Sequence, residues 1–242
     1  MFSRASLLSR LSGIMLALFS STVTAHLPPA LAPHYQLVPS RQHKLPVTAW
    51  SRVDNPGFIY YVCLRDPSRP RPDVVVMCGV GDDKHRAGGN SGYFDIWYLK
   101  GDNVIVSASV KSGGRYGASG EASPLYIGKH SAVRLEERYN WQGVQQLLYR
   151  YYLPIKNELV EVASLPVFSN NEALCEDSQS ECLIDNLRTD VTFNGRSSAS
   201  YPEMNIHTTG ILAGKKIDKR WVVNFDSTTH RYTVPKEIHL SY

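Results

Sequence analysis

The chain has no Asn-x-Ser/Thr acceptor, no Cys-x-x-Cys pair, no His-Glu-x-x-His helix, no Gly-x-Ser-x-Gly elbow and no apolar run long enough to cross a bilayer. Each absence removes a class of function. A secreted eukaryotic chain of this length usually carries a glycosylation acceptor, so the sequence suits a bacterial envelope better. Without the zincin and nucleophile-elbow patterns, catalysis by a familiar route has no support. The four cysteines lack zinc-knuckle spacing, and the eight histidines are scattered with none at ligand spacing, so neither a metal nor another cofactor is expected. A formal charge of +4 over 242 residues is too slight to argue for nucleic acid.

What is present begins with a leader. Arg4 and Arg10 precede the apolar stretch Leu11 to Phe19, and Val23-Thr24-Ala25 offers the small residues that a signal peptidase needs. Residues 1–25 therefore read as a signal peptide cleaved after Ala25. A membrane anchor is the competing reading, but the apolar core falls well short of the roughly 20 residues of a spanning helix. The expected destination is the periplasm or the exterior, with no membrane span after cleavage. An even number of cysteines in an oxidising compartment points to disulfides. Cys63 and Cys78 flank the proline-rich turn 66–72, while Cys175 and Cys182 bracket a short polar loop, so local pairing of each couple is expected.

Residues 26–56 are rich in proline and polar residues and have no sustained period, which marks an extended lead-in segment. From Gly57 to the end, a single β-rich domain is expected. Its text is a series of short β-branched and aromatic runs: 58–64, 74–77, 93–99, 104–110, 133–139, 144–153, 159–164, 187–193, 206–212, 220–225 and 232–240. Several alternate cleanly. Val104, Val106, Ala108 and Val110 share one face against Ser107 and Ser109, and Trp221, Val223 and Phe225 oppose Arg220 and Asn224. Turn residues at 100–103, 140–143, 154–157 and Asn194-Gly195 favour hairpins, hence antiparallel pairing of consecutive strands. The run from Val144 to Tyr152 also fits a helix, but its tyrosines favour strand. The fold class is mainly β, an antiparallel sandwich or open barrel, and no internal repeat favours a propeller.

Two glycine-rich loops, 79–92 and 111–121, follow strands whose hairpin would bring them to the same end of a sheet. The first holds Asp82, Asp83 and His85 as acid–base candidates, with Arg86 as a binding residue; the second holds Lys111, Arg115 and Tyr116, suited to an anion or a sugar ring. Ser112 and Ser119 are the nucleophiles within reach in sequence. The bland alternative is a pair of solvated connections. Lys111-Ser112-Gly113 matches a triplet of penicillin-binding proteins, but without the Ser-x-x-Lys and the helical half that those enzymes need. Glu136-Glu137 on a strand would point to opposite faces and form no dyad. Tyr149, Tyr151, Tyr152, Trp97, Tyr98 and Trp141 suit either an aromatic platform or core packing. The leading expectation is an exported β-rich binding protein, of the kind that inhibits or neutralises an envelope-acting enzyme or toxin, with a protein or glycan partner of the cell envelope. An envelope hydrolase acting on a carbohydrate or ester, and a structural component of the envelope, are the alternatives.

Overall fold

A computed structural model describes residues 26–238, apart from 43–44, 68–70, 83, 112–113, 177–182 and 195–199; the expected leader lies outside the described residues. The chain forms two antiparallel meanders. The first sheet runs β1 (Tyr35–Val38), β2 (Ala49–Arg52), β3 (Phe58–Asp66), β4 (Asp73–Gly81), β5 (Tyr93–Lys100) and β6 (Asn103–Lys111). The second runs β7 (Glu121–Ile127), β8 (His130–Trp141), β9 (Val144–Ile155), β10 (Glu158–Asn170), β11 (Asn186–Phe193), β12 (Met204–Leu212) and β13 (Lys215–Val223). Within each sheet every strand pairs with its neighbour in sequence. A ribbon of β14 (Phe225–Asp226) and β15 (Arg231–Tyr232) and a short helix α1 (Glu172–Glu176) complete the elements.

Tight turns enforce this order. Gly101, Gln142-Gly143, Lys156 and Ala213-Gly214 all take left-handed backbone, which matches the twist of two-residue hairpins. Residues 144–155 are strand, not helix. Asn194-Gly195 falls on Gly195, outside the described residues. At the C-terminus, the described part of the expected run 232–240 is strand at Tyr232 alone, paired within Arg231–Tyr232, and Pro235 precedes a 3-10 turn at Lys236–Ile238.

Alternation along these strands builds three apolar clusters. Val74, Val76, Cys78, Phe94, Ile96 and Tyr98 of the first sheet meet Val133, Leu135 and Tyr152 of the second, which makes the sandwich interior. On the other face of the second sheet, Leu153, Val162, Leu165, Met204 and Ile206 form a cluster of their own. One sheet can enclose a cluster on a single face only by curling, and here it curls into a half-barrel plugged by Tyr232, Val234 and Ile238.

The third cluster covers the outer face of the first sheet and changes the reading of residues 26–56. Leu31, Tyr35 and Trp50 pack on Tyr60, Val75, Met77, Trp97 and Leu99. That segment therefore carries two strands and part of a core. The Tyr35 hydroxyl donates to Asp95 Oδ2 at 2.5 Å, and Arg52 reaches Asp95 Oδ1 at 3.1 Å, so β1 folds back across β5 and ties to a fully buried carboxylate.

Cys63 and Cys78 form a disulfide with Cα atoms 5.7 Å apart. Their strands β3 and β4 are adjacent, and the pairing steps by one residue at Cys63, between Val62 and Leu64. This bulge turns the thiol toward Cys78, whose side chain is buried in the sandwich interior. Such a bond suits an oxidising environment. Cys175 is also disulfide-bonded, whereas Cys182 lies outside the described residues. Replacing Cys63 and Cys78 by serine should lower unfolding free energy by about 3 kcal/mol, the loop-closure value for a ring of this size, as read by urea denaturation.

At the rim of the curl, His130 stacks on Tyr201 with ring centroids 4.7 Å apart, and its Nε2 lies 2.8 Å from Ser200 Oγ. Burial, with Lys129 and Arg71 nearby, lowers the His130 pKa below its ordinary value of 6.5. The unfolded chain then binds this proton more readily than the folded one, so this site loses stability as pH falls below about 6.5. Comparing melting temperatures at neutral and mildly acidic pH should show a smaller acid loss in His130→Gln than in the parent.

Candidate functional site

The two glycine-rich loops meet. β4 and β5 bring the first, and β6 delivers the second, which crosses from the edge of one sheet to β7 of the other and so lies over the end of the sandwich. Their backbones lock together: Gly81 N–H donates to Gly117 O at 2.9 Å, Gly92 N–H to Ala118 O at 2.7 Å, and Gly117 N–H to Asn90 O at 2.9 Å. Approach this close needs glycine. A Cβ on Gly92 would sit 2.2 Å from Gly79 O, and one on Gly117, whose φ is +76°, would sit 3.0 Å from the Gly81 backbone.

Arg115 extends the lock to a third element. Its Nε donates to Gly88 O at 3.0 Å and its Nη1 to Asn140 O at 2.8 Å, joining both loops to the end of β8. Beside it, Tyr116 has φ +54° and is 62% exposed, and the guanidinium lies 5.4 Å from the centre of the Tyr116 ring. An aromatic residue in left-handed backbone is uncommon and persists where its surroundings over-determine it.

The remaining sequence candidates divide. Asp82 accepts from Lys84 N–H and His85 N–H and pairs with His85 Nδ1 at 2.6 Å, and this bond to His85 holds the Asp82 carboxyl below the usual carboxylate range. The His85 ring packs against Gly57 and Phe58, on the face of the first sheet turned away from the second. Arg86 donates to Gly81 O. These side chains organise the first loop. Asp83 and Ser112 lie outside the described residues, and Ser119 is buried. Lys111 and Arg115, by contrast, line one cavity of about 450 Å³ with Gly88, Ser91 and four residues of the second sheet.

Those four residues, Glu137, Tyr139, Trp141 and Arg150, were not legible as site residues apart from Trp141. Val133, Leu135, Glu137, Tyr139 and Trp141 share one face of β8, so the face that builds the sandwich interior continues past it into the cavity. A carboxylate on the continuation of an apolar face is the signal that would have found it. Glu137 is 1% exposed; Arg150 reaches it at 3.1 Å and Glu161 at 2.6 Å, while Tyr139 and Tyr152 donate to Glu137 and Glu161. Burial and the Glu137 charge push the Tyr139 hydroxyl well above the ordinary phenol value, so it stays a donor.

Glu136 and Glu137 do point to opposite faces: Glu136 pairs with Arg138, and Glu137 with Arg150. An aromatic platform does not form from the proposed set. Trp97, Tyr98, Tyr151 and Tyr152 are buried because their strands are covered on both faces, and Tyr149 packs against the half-barrel cluster. Trp141 alone of that group lines the cavity.

No family model matches the chain, and no curated protein or solved structure matches it. Its chemistry has to be read from the end of the sandwich itself. Among the described residues no group of three His, Cys, Asp or Glu side chains is placed to hold a metal ion, and no helix is long and apolar enough to cross a membrane. The cavity joins Lys111, Arg115 and Arg150 to one buried carboxylate of its lining, and two aromatic rings border it. A second depression beside it, of about 530 Å³, adds Tyr116, Arg138 and Gln142. Cationic groups with adjacent ring faces are chemically suited to an anionic side chain, or to a sugar ring bearing one.

Proposed function

We propose that the chain is an exported binding protein of inhibitor or immunity type, and that its loop end recognises an enzyme or toxin acting on the cell envelope. The observation that carries this reading is the tip Arg115-Tyr116. Binding energy at protein interfaces concentrates in a few Arg, Tyr and Trp residues. Here Arg115, Tyr116 and Trp141 lie together around adjoining depressions, and the Tyr116 ring is largely exposed on a left-handed backbone. A loop already locked by backbone hydrogen bonds gives up little entropy when it docks. The buried disulfide supports an oxidising location outside the cytoplasm.

The hydrolase reading rests on the Asp82–His85 pair, an arrangement in which a carboxylate orients a base. It is the weaker reading. His85 faces Gly57 and Phe58, away from the cavity that holds the basic and aromatic groups.

The test is affinity capture from envelope extract under non-reducing conditions, with the parent protein and the Tyr116→Ala variant as parallel baits. One stoichiometric protein retained by the parent and lost by the variant is the expected result. Equal retention by both baits, or an empty column, overturns the reading and moves the search to glycans and ester substrates.

A further inference from the structure

Most glycines around the loop end are required by the fold itself. Gly92, Gly114 and Gly117 each lie so close to a neighbouring backbone that a Cβ would come within 3.0 Å of it. Gly88 and Gly89 are different. They are the central pair of a turn closed by Asn90 N–H donating to Ala87 O at 2.9 Å, and neither has the left-handed backbone that favours glycine. A Cβ on Gly89 would meet no atom within 4 Å, and one on Gly88 would make only ordinary contacts, 3.4 Å to the Tyr116 ring and 3.7 Å to Arg115 Nη2. Neither backbone conformation nor packing asks for glycine at these two positions.

Both of them line the cavity between the loops and the second sheet. A side chain on Gly88 would stand against the two residues of the loop tip, Arg115 and Tyr116. Arg115 commits Nε and Nη1 to the carbonyls of Gly88 and Asn140, while Nη2 enters neither bond. Among the described residues Glu137 is the one carboxylate of the lining, and it is buried against Arg150 and the Tyr139 hydroxyl, so its charge is met inside the protein. What the wall offers a guest is positive charge beside a bare stretch of main chain. Glycine is the residue that lets a ligand come close to backbone.

We propose, resting on the binding reading above, that this cavity receives an aspartate or glutamate side chain of the partner, which passes over the bare Gly88-Gly89 turn to reach Arg115 Nη2. A carboxylate there gains charge-assisted hydrogen bonds from the guanidinium. Gly88 is then a specificity-determining residue: a methyl group at that position would occupy the approach to Nη2 while leaving the turn intact.

The experiment titrates N-acetyl-glutamate amide, which carries the side chain of a peptide glutamate and no other charge, into the purified protein. Backbone amides of Gly88, Gly89 and Ser91 are followed by NMR, with N-acetyl-glutamine amide and glucuronate as comparison probes. The expected result is a saturable shift with the glutamate probe, none with the glutamine probe, and binding weakened at least about ten-fold in Gly88→Ala and in the double variant Gly88→Ala/Gly89→Ala. Both variants should melt at or above the parent temperature, because alanine in a compatible backbone restricts the unfolded chain. No saturation, equal binding of the glutamine probe, or alanine variants that bind like the parent overturns the proposal. So does a lowered melting temperature, which returns the glycines to the fold, and so does tighter binding of glucuronate, which assigns the cavity to a carboxylated sugar. The titration needs no captured partner. An empty affinity column beside a saturable titration therefore removes the inhibitor reading alone, whereas equal capture of one protein by the parent and the double alanine variant removes this assignment alone.

Discussion

Arg115→Ala should weaken partner binding by about 100-fold or more, the largest single loss on the loop end. A hot-spot arginine commonly carries 2 kcal/mol or more in an interface, which alone is about 30-fold. Arg115 has a second task, because its guanidinium holds Gly88 O and Asn140 O and thereby fixes both loops against β8. Without it the tip must be ordered at the moment of docking, which adds to the loss. Arg115→Lys separates the two contributions. An ammonium keeps the charge but cannot span two carbonyls as a planar fork does, so the lysine variant should recover only a small part of the affinity. Tyr116→Ala should cost about 30-fold with an unchanged melting temperature, since the ring is exposed. Titration calorimetry against the captured partner, beside a melting curve, reads all three. An Arg115→Ala variant with parent-like affinity would remove the tip from the interface.

The second large effect is on stability and comes from residues 26–56. Arg52→Ala should destabilise the fold by about 3 kcal/mol, toward the lower end of what breaking a buried pair costs because Arg52 is partly exposed. It leaves the Asp95 carboxylate buried without its cationic partner, still accepting from the Tyr35 hydroxyl. Asp95 sits on the outer face of β5 among Trp97, Tyr60 and Tyr35 and is fully buried, so the charge gains nothing from water. In an Asp95→Asn background the same Arg52→Ala change should cost markedly less, because the charge is gone. Leu31→Ala tests the apolar half of that contact: a fully buried leucine truncated to alanine costs about 2–5 kcal/mol. Urea unfolding measures each. Losses below 1 kcal/mol for both Arg52→Ala and Leu31→Ala would mean that this segment is an appendage.

The strands that sequence made legible are those with long β-branched and aromatic runs bounded by tight turns. β5, β6, β9 and β12 are of this kind, and a β-rich run beside a tight turn was enough to place them. β1, β2 and β7 were missed for an opposite reason. Each lies at or near a sheet edge, is short or carries proline, and gains its strand state from the neighbour it covers more than from its own residues. The convergence of loops 79–92 and 111–121 followed from the β5–β6 hairpin and is seen in the backbone bonds between them. What sequence could not supply was the third wall of the cavity. Glu137 and Arg150 are far from the loops along the chain, and they come to them only because β8 and β9 extend beyond the sandwich interior on the same face. Local spacing holds no record of how two sheets are stacked.

The chain passes between its two sheets once, through residues 112–120. Among the described residues, the strands up to Lys111 form one meander and those from Glu121 to Val223 the other, and each half holds its own strand pairs. The protein is therefore a natural pair of complementary fragments, divided at the very segment that carries Arg115 and Tyr116. A protease that cuts there would sever the proposed recognition tip between two halves that share the interior cluster, so a partner docked on this loop would also shield the link between the two sheets.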